Sequence, residues 1–236
     1  MDQKKRTLYL IPSTLGDTPP EMVLPAQNLE IIRSLVHFVV EEEKTARRFL
    51  IRCGYNKPLN DIRFFTLNEH TDVSLVPGIF DASKVSLGLI SEAGVPAVAD
   101  PGAALVEEAH RQRIHVVPMV GPSSLVLALM ASGLNGQSFA FNGYLPVKDP
   151  ERVNKIRFIE KRSAQENQSQ LFIEAPYRNQ KLIKSLLETC RPQTKLCIAA
   201  NLTLENEYVV TKIIGEWRIG PPPDLNRQPT VFILQA

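Results

Sequence analysis

Ser91-Glu92-Ala93-Gly94-Val95-Pro96-Ala97-Val98-Ala99-Asp100-Pro101-Gly102 follows directly on an apolar run at residues 84–90. The run reads as a buried strand, and residues 103–113 after the loop read as a helix. Outward from there the same alternation repeats. Residues 7–11, 36–40, 62–67 and 115–120 read as further strands. Residues 21–35, 42–53 and 125–131 read as helices. Strands alternating with helices imply an α/β fold with a mostly parallel sheet. Past Gly133 the pattern changes. Strand-like runs at 139–145, 171–174, 195–200, 208–216 and 230–234 accompany a charged stretch at 148–170, helical in part, and a helix at 179–190, which suits a mixed sheet. We therefore expect two α/β domains, residues 1–119 and 120–236.

Three loops stand at expected strand ends: Pro12-Ser13-Thr14-Leu15-Gly16-Asp17, the 91–102 loop, and Val120-Gly121-Pro122-Ser123-Ser124. In open α/β sheets, ligands bind outside the carboxyl ends of the strands. Small residues let a ligand approach the backbone, and proline fixes a loop without adding a donor. Such loops suit a ligand held by main-chain groups. No GxGxxG or GxxxxGK[ST] pattern is present, which disfavours a classical dinucleotide or nucleotide phosphate site.

Composition narrows the class. Apolar residues make up 44% of the 236-residue chain and charged residues 22%, as in a globular protein. A net charge of +2 gives no global pull toward nucleic acid, so RNA binding would need a local patch. The three cysteines, Cys53, Cys190 and Cys197, lack CxxC spacing, and the four histidines have no zinc-like spacing, so no metal is expected. No apolar run reaches transmembrane length and the start lacks a signal-peptide core, so a cytoplasmic protein without membrane partners is expected.

The quoted loop, together with LYLIPSTLGD, VEEEKTARRFL, LNEHT, VPMVGPSSLVLALMASGL, FAFNGYLP, FIEAPYR and the IAANLT run, resembles the tetrapyrrole methylase superfamily of class III S-adenosylmethionine methyltransferases. Within that superfamily it resembles the ribosomal RNA small-subunit methyltransferase I family, which methylates the ribose 2′-oxygen of a cytidine. The resemblance implies two α/β domains with S-adenosylmethionine in the cleft between them, and a homodimer. By position it implies cofactor contacts from Pro12, Leu15 and Gly16; from Gly94, Val95, Pro96 and Val98; from Ser123 and Ser124; from Glu174 and Ala175; and from Asn201, Leu202 and Thr203. Three segments depart from the family pattern. Ala200–Leu204 stands where Arg-Glu-Leu-Thr-Lys is usual, Glu41–Ala46 where Glu-Asp-Thr-Arg-His-Thr is usual, and Asn68–Thr71 where His-Glu-His-Asn is usual.

Methyl transfer to a hydroxyl needs orientation and a base, because the sulfonium already supplies the driving chemistry. The base candidates are Glu41 and Glu69, each expected just past a strand. His70 and Arg178 are candidates for contact with the acceptor. The basic residues between Lys148 and Arg162 form either an RNA-backbone patch or an ordinary charged helix. Three functions stay open: an RNA methyltransferase, a methylase of a tetrapyrrole or other small molecule, and a cofactor-binding regulatory dimer without catalysis.

Overall fold

The computed structural model describes residues 6–236. The chain divides into two compact units, the first ending at Ser123 and the second spanning Ser124–Ala236.

Among the described residues, the first unit holds β1 (Thr7–Ile11), β2 (His37–Val40), β3 (Arg63–Thr66), β4 (Leu87–Ile90) and β5 (His115–Pro118), with α1 (Pro20–Val23), α2 (Ala26–Ser34), α3 (Glu43–Arg52), α4 (Val76–Ala82) and α5 (Ala103–Arg111). All strand pairs are parallel, in the order β3-β2-β4-β1-β5. The strands alternate their side chains between two cores. Ile11, Phe38, Val40 and Ile90 face a layer built on Leu29, Ile32, Phe49 and Leu50 of α2 and α3. Leu8, Val39, Leu87 and Leu89 face Ile79, Phe80, Leu105 and Ala109 of α4 and α5. Burial on both faces is why these strands read as near-continuous apolar runs. The sequence reading is corrected at two places here. The helix expected at residues 21–35 is two helices, because Pro25 supplies the extended turn that starts α2. Helix α4 was not anticipated; its Val76, Ile79 and Phe80 spacing is helical, but Pro77 and Gly78 obscure it.

Among the described residues, the second unit holds α6 (Ser124–Ser132), β6 (Phe139–Tyr144), α7 (Asp149–Glu166), β7 (Ser169–Ile173), α8 (Asn179–Thr189), β8 (Lys195–Ala200), β9 (Tyr208–Ile213), α9 (Ile214–Trp217) and β10 (Thr230–Gln235). Their order is β6-β7-β10-β8-β9. β6 and β7 are parallel, and β10 runs antiparallel to both β7 and β8, so the sheet is mixed. α7 and α8 cover one face through Ile156, Ile159, Leu182, Ile183 and Leu186, against Phe172, Ile198 and Phe232. α6 packs near β9 and β10, and Thr211 Oγ1 donates to the Ser132 carbonyl at 2.8 Å. The strand expected at 208–216 ends at Ile213. Ile214 and Trp217 then turn inward as α9, and the indole Nε1 donates to the Leu196 carbonyl.

Among the described residues, no helix is long and apolar enough to cross a membrane.

Candidate functional site

A parallel sheet brings every strand's carboxyl end to one edge, so the loops after β1, β2, β4 and β5 all emerge together in the first unit. β1 and β4 are neighbours whose onward connections run to opposite sides, to β2 and to β5, which is the topological switch point where α/β sheets hold ligands. Here the loops interlock. Ser13 N donates to the Gly94 carbonyl at 2.9 Å. Gly94 has φ +72°, and a Cβ there would lie 3.0 Å from Leu15 Cδ2 and 3.1 Å from the Pro122 carbonyl. At Gly121 a Cβ would lie 2.2 Å from Pro12 Cγ. Only glycine meets both the backbone angle and the spacing at residue 94.

The loop after β4 is also strained. Ala97 (φ 65°) and Ala99 (φ 56°) both occupy the left-handed region. Such angles cost about 1–3 kcal/mol each and persist where surrounding contacts enforce them. The enforcing group is Asp100, whose Oδ1 accepts from Ala97 N at 3.2 Å and Gly102 N at 2.6 Å. Beside the loops lies a pocket of about 280 Å³, lined by Ser13, Thr14, Leu15, Gly16, Ser91 and Glu92 on one side and Thr45, Arg48, Phe49 and Arg52 of α3 on the other. Arg52 is engaged by Asp17 (3.3 Å) and by the Thr18 carbonyl. Thr14 Oγ1 donates to the Gly16 carbonyl at 2.7 Å, which shapes the first loop.

Glu41 is the half-buried residue after the last position of β2. Val40 pairs with Ile90 in register, so Glu41 stands beside Ser91 at the head of the strained loop. Burial first, and then the charges of Asp100 and Glu92, push its carboxyl from the ordinary 4.5 up to about 7. The carboxyl accepts from the Glu92 backbone N–H and lies within hydrogen-bonding reach of the Asp100 carboxyl. Glu92 is held in turn by Thr45, whose Oγ1 donates to Glu92 Oε1 at 2.6 Å.

The second base candidate has different surroundings. Asn68 Oδ1 accepts from His70 N at 3.0 Å and forms a tight turn. That turn presents Glu69 and His70 to solvent, with side chains 85% and 84% exposed, paired to each other at 3.6 Å. The turn follows β3, the edge strand, one strand beyond β2.

In the second unit, β7 and β8 both run antiparallel to β10, so Glu174 and Asn201 leave the sheet at the same edge. Glu174 is buried, and its Oε1 accepts from Ala175 N at 2.8 Å, Arg178 Nε at 2.8 Å and the Arg178 terminal nitrogen at 2.6 Å. Arg178 also lies 5.3 Å from the Tyr177 ring centre. Asn201 (φ 51°) and Thr203 (φ 71°) are left-handed, and for a β-branched threonine that angle is a real outlier. Asn201 Nδ2 donates to Gln228 Oε1 at 2.9 Å, and Thr203 N donates to Glu207 Oε2 at 2.8 Å. Leu202 is buried beneath the turn. Ser123 and Ser124 stand at the entrance to α6.

The structure thus brings Pro12, Leu15, Gly16 and Gly94 into one loop cluster, followed in the chain by Val95, Pro96 and Val98, with Pro122 packed against Gly94 just before Ser123. In the second unit it brings Glu174, Ala175 and Asn201–Thr203 to one sheet edge. Sequence reasoning missed Asp100, Glu92 and Thr45; the acids inside an otherwise small and apolar loop were the available signal. Cys53 and Cys190 are not nucleophile candidates, since burial pushes their thiols up to about 12. Among the described residues, no group of three or more His, Cys, Asp or Glu could hold a metal ion.

No protein-family model matches the chain. The chain is 27% identical over 229 residues to ribosomal RNA small subunit methyltransferase I of Vibrio cholerae, covering 96% of this chain and 75% of that protein. It is 32% identical over 206 residues to the protein of the same name from Mesorhizobium japonicum, covering 86% of this chain and 66% of that one. Among solved structures, the methyltransferase CobJ superposes with a TM-score of 0.62 at 14% identity, covering 98% of this chain and 93% of that one. At that identity the superposition speaks for the fold alone.

Proposed function

We propose that this chain is a member of the ribosomal RNA small-subunit methyltransferase I family and that it methylates a ribose 2′-hydroxyl of ribosomal RNA using S-adenosylmethionine. The observation that carries the reading is the interlocked loop cluster around Gly94, with a half-buried carboxyl of raised pKa at the same edge.

The residues present fit the cofactor. The pocket offers small side chains and main-chain groups from Ser13–Gly16 and Ser91, and its volume of about 280 Å³ suits part of such a ligand. Its size lies just below the roughly 300–1,000 Å³ range of complete small-molecule pockets. In this proposal Pro12, Leu15, Gly16, Gly94, Val95, Pro96, Val98 and Ser123 contact the cofactor from the first unit. Ser124, Glu174, Ala175, Asn201, Leu202 and Thr203 are further cofactor contacts that the family resemblance implies. When bound, S-adenosylmethionine supplies a methyl group already activated on sulfonium.

Glu41 then acts as the base. Glu41 would take up the proton of the acceptor hydroxyl, while the cofactor held by the residues above would supply the methyl group. A base with a pKa near the working pH combines a useful ionised fraction with real proton affinity. Lys148, Lys155, Arg157 and Lys161 on and beside α7 are offered as RNA-backbone contacts, with Lys155 lying 5.2 Å from the ring centre of exposed Phe158. A cytoplasmic homodimer completes the reading.

The test is methyl transfer from radiolabelled cofactor to small-subunit RNA from a strain lacking the modification. The expected product carries label in an alkali-resistant dinucleotide, which marks a 2′-O-methyl group. Label entering a tetrapyrrole but not the RNA would overturn this reading in favour of a small acceptor.

A further inference from the structure

Resting on RNA as the acceptor, we propose that Tyr144 and Tyr177 form a stacking platform for unpaired bases of a single-stranded RNA segment, on the edge of the second unit's sheet where Glu174 stands.

The placement starts from the sheet. β6 is an edge strand that runs parallel to β7, with Tyr144 opposite Ile173. Tyr144 therefore leaves the sheet beside Glu174, and Tyr177 follows three residues after Glu174 in the helical turn Pro176–Arg178. The register of β6 on β7 shifts between Phe141 and Tyr144, and Gly143 in that interval has φ +63°. A bulge of this kind bends its strand and re-aims the side chain beside it. The outcome is a Tyr144 that is 60% exposed, while Leu145 after it is buried in the core. Tyr177 is 70% exposed. Of the five tyrosines in the chain, these two are the exposed ones.

Tyr177 is also braced. The Arg178 guanidinium lies over its ring, and Arg178 Nη1 donates to the phenol oxygen at 3.4 Å. That guanidinium is itself tied to the buried Glu174 carboxyl. Both Tyr144 and Tyr177 act on the same guanidinium, so the three side chains form one cluster. A ring held in place before binding loses less freedom when a ligand stacks on its open face.

The chemistry of the cluster selects its occupant. Every nucleobase has a π-face that stacks on tyrosine, and a neighbouring guanidinium adds to the attraction. Paired bases are already stacked and closed to side chains, so the platform suits a single strand. Cations for the backbone stand alongside. Exposed Lys148 precedes Asp149, which pairs with Lys181 of α8 at 3.5 Å, so both lysines lie by the first turn of α8, next to Arg178. An apolar partner surface would desolvate Lys148 and the phenol hydroxyls without returning hydrogen bonds.

The experiment is fluorescence anisotropy of the full chain with a labelled short single-stranded RNA of mixed sequence, against a duplex of the same sequence. Tyr177→Leu and Tyr144→Leu are each expected to weaken single-strand binding by about 5-fold or more, the scale of a lost stacking contact. Tyr177→Phe, which keeps the ring, is expected to bind like the parent. The slope of log affinity against log salt is expected to stay unchanged in the leucine variants, because no phosphate contact is lost. Thermal unfolding is expected to match the parent, since both rings are exposed. The inference is overturned if the parent binds no single strand, if it prefers the duplex, if Tyr177→Phe loses as much as Tyr177→Leu, or if both leucine variants keep their affinity. Leucine variants that keep RNA affinity but dissociate a dimer in analytical ultracentrifugation would also overturn it, assigning the rings to a second copy of the chain. If RNA methylation is absent but single-strand affinity falls on Tyr177→Leu, the enzymatic reading fails and the platform stands. If methylation is present and the leucine variants bind like the parent, the platform fails and the enzymatic reading stands.

Discussion

The carboxyl-end edges of the two sheets carry similar ingredients and resolve them differently. Each has acids, an arginine and left-handed non-glycine residues. In the second unit the bonds close on themselves: Glu174 is buried against Arg178 and Ala175 N, Asn201 against Gln228, and Thr203 N against Glu207. In the first unit Glu41, Glu92 and Asp100 converge with acids as the charges that act on Glu41. A satisfied polar cluster contributes to a stable fold. An unresolved one stores proton affinity, and perturbed titration is concentrated where chemistry is done. The difference favours the first unit's edge for the proposed base and the second unit's edge for a frame.

The sharpest way to break that contrast is to remove the two base candidates separately. Glu41→Gln is expected to lower the methyl-transfer rate by about 10²–10⁴-fold, the usual weight of general-base catalysis. Glu69→Gln, exposed and paired to His70, is expected to change it by less than about 3-fold, since surface pairs contribute little. Equal losses in single-turnover assays would erase the distinction.

Next in size is Arg178→Ala, which strips the charge partner from a buried acid. The expected cost is roughly 3 kcal/mol of stability in denaturant unfolding, the scale for orphaning a buried charge. A large loss of RNA affinity with unchanged stability would instead assign Arg178 to the acceptor.

Gly94→Ala probes the interlocked loops. A Cβ 3.0 Å from Leu15 at φ +72° is expected to cost about 1–3 kcal/mol and to weaken cofactor binding in calorimetry. Unchanged binding would remove this loop from the cofactor site.

A gentler measurement follows from the sign of the Glu41 shift. Its folded pKa, about 7, lies above the ordinary 4.5, so the native state binds the extra proton between those values. Stability attributable to Glu41 is then greatest below 4.5 and is lost as pH rises through 7. Glu41→Gln is expected to be more stable than the parent at pH 8, with the advantage vanishing toward pH 4.5, read by thermal unfolding across pH.

The smallest expected effect is on α7. Reversing Lys155 and Arg157 to glutamate is expected to flatten the slope of log affinity for RNA against log salt by about 1 for each phosphate no longer neutralised. An unchanged slope would return α7 to an ordinary solvated helix.

Much of the fold was legible. Strands at residues 7–11 and 195–200 could be read from β-rich apolar runs ended by proline or by polar turns, and the β4 loop from its small residues. The misreadings share a cause. α4 carries Pro77 and Gly78, so local propensity argued against a helix that tertiary burial of Ile79 and Phe80 stabilises. At 21–35 the apolar period ran through Pro25, and at 208–216 it ran through the turn into α9, because periodicity does not register a change of direction. In the loop after β4 the glycine at 94 and the acids at 92 and 100 stand in plain view in the sequence, but that these acids act on Glu41 does not.

The sequence by itself determined the α/β alternation, the division into two units of different sheet type and the small-residue, proline- and glycine-rich character of the loops at the strand ends. These depend on short-range signals: hydrophobic period, proline and glycine geometry, and a motif of small residues. Only the tertiary structure decided that Glu41 and not Glu69 lies among other acids, and that Arg178 is committed to Glu174. Those outcomes depend on strand order, since β2 and β4 are neighbours while β3 lies at the edge, and strand order is set by packing across the whole unit. Proton affinity is a property of that neighbourhood, so it becomes readable only once the strands are in place.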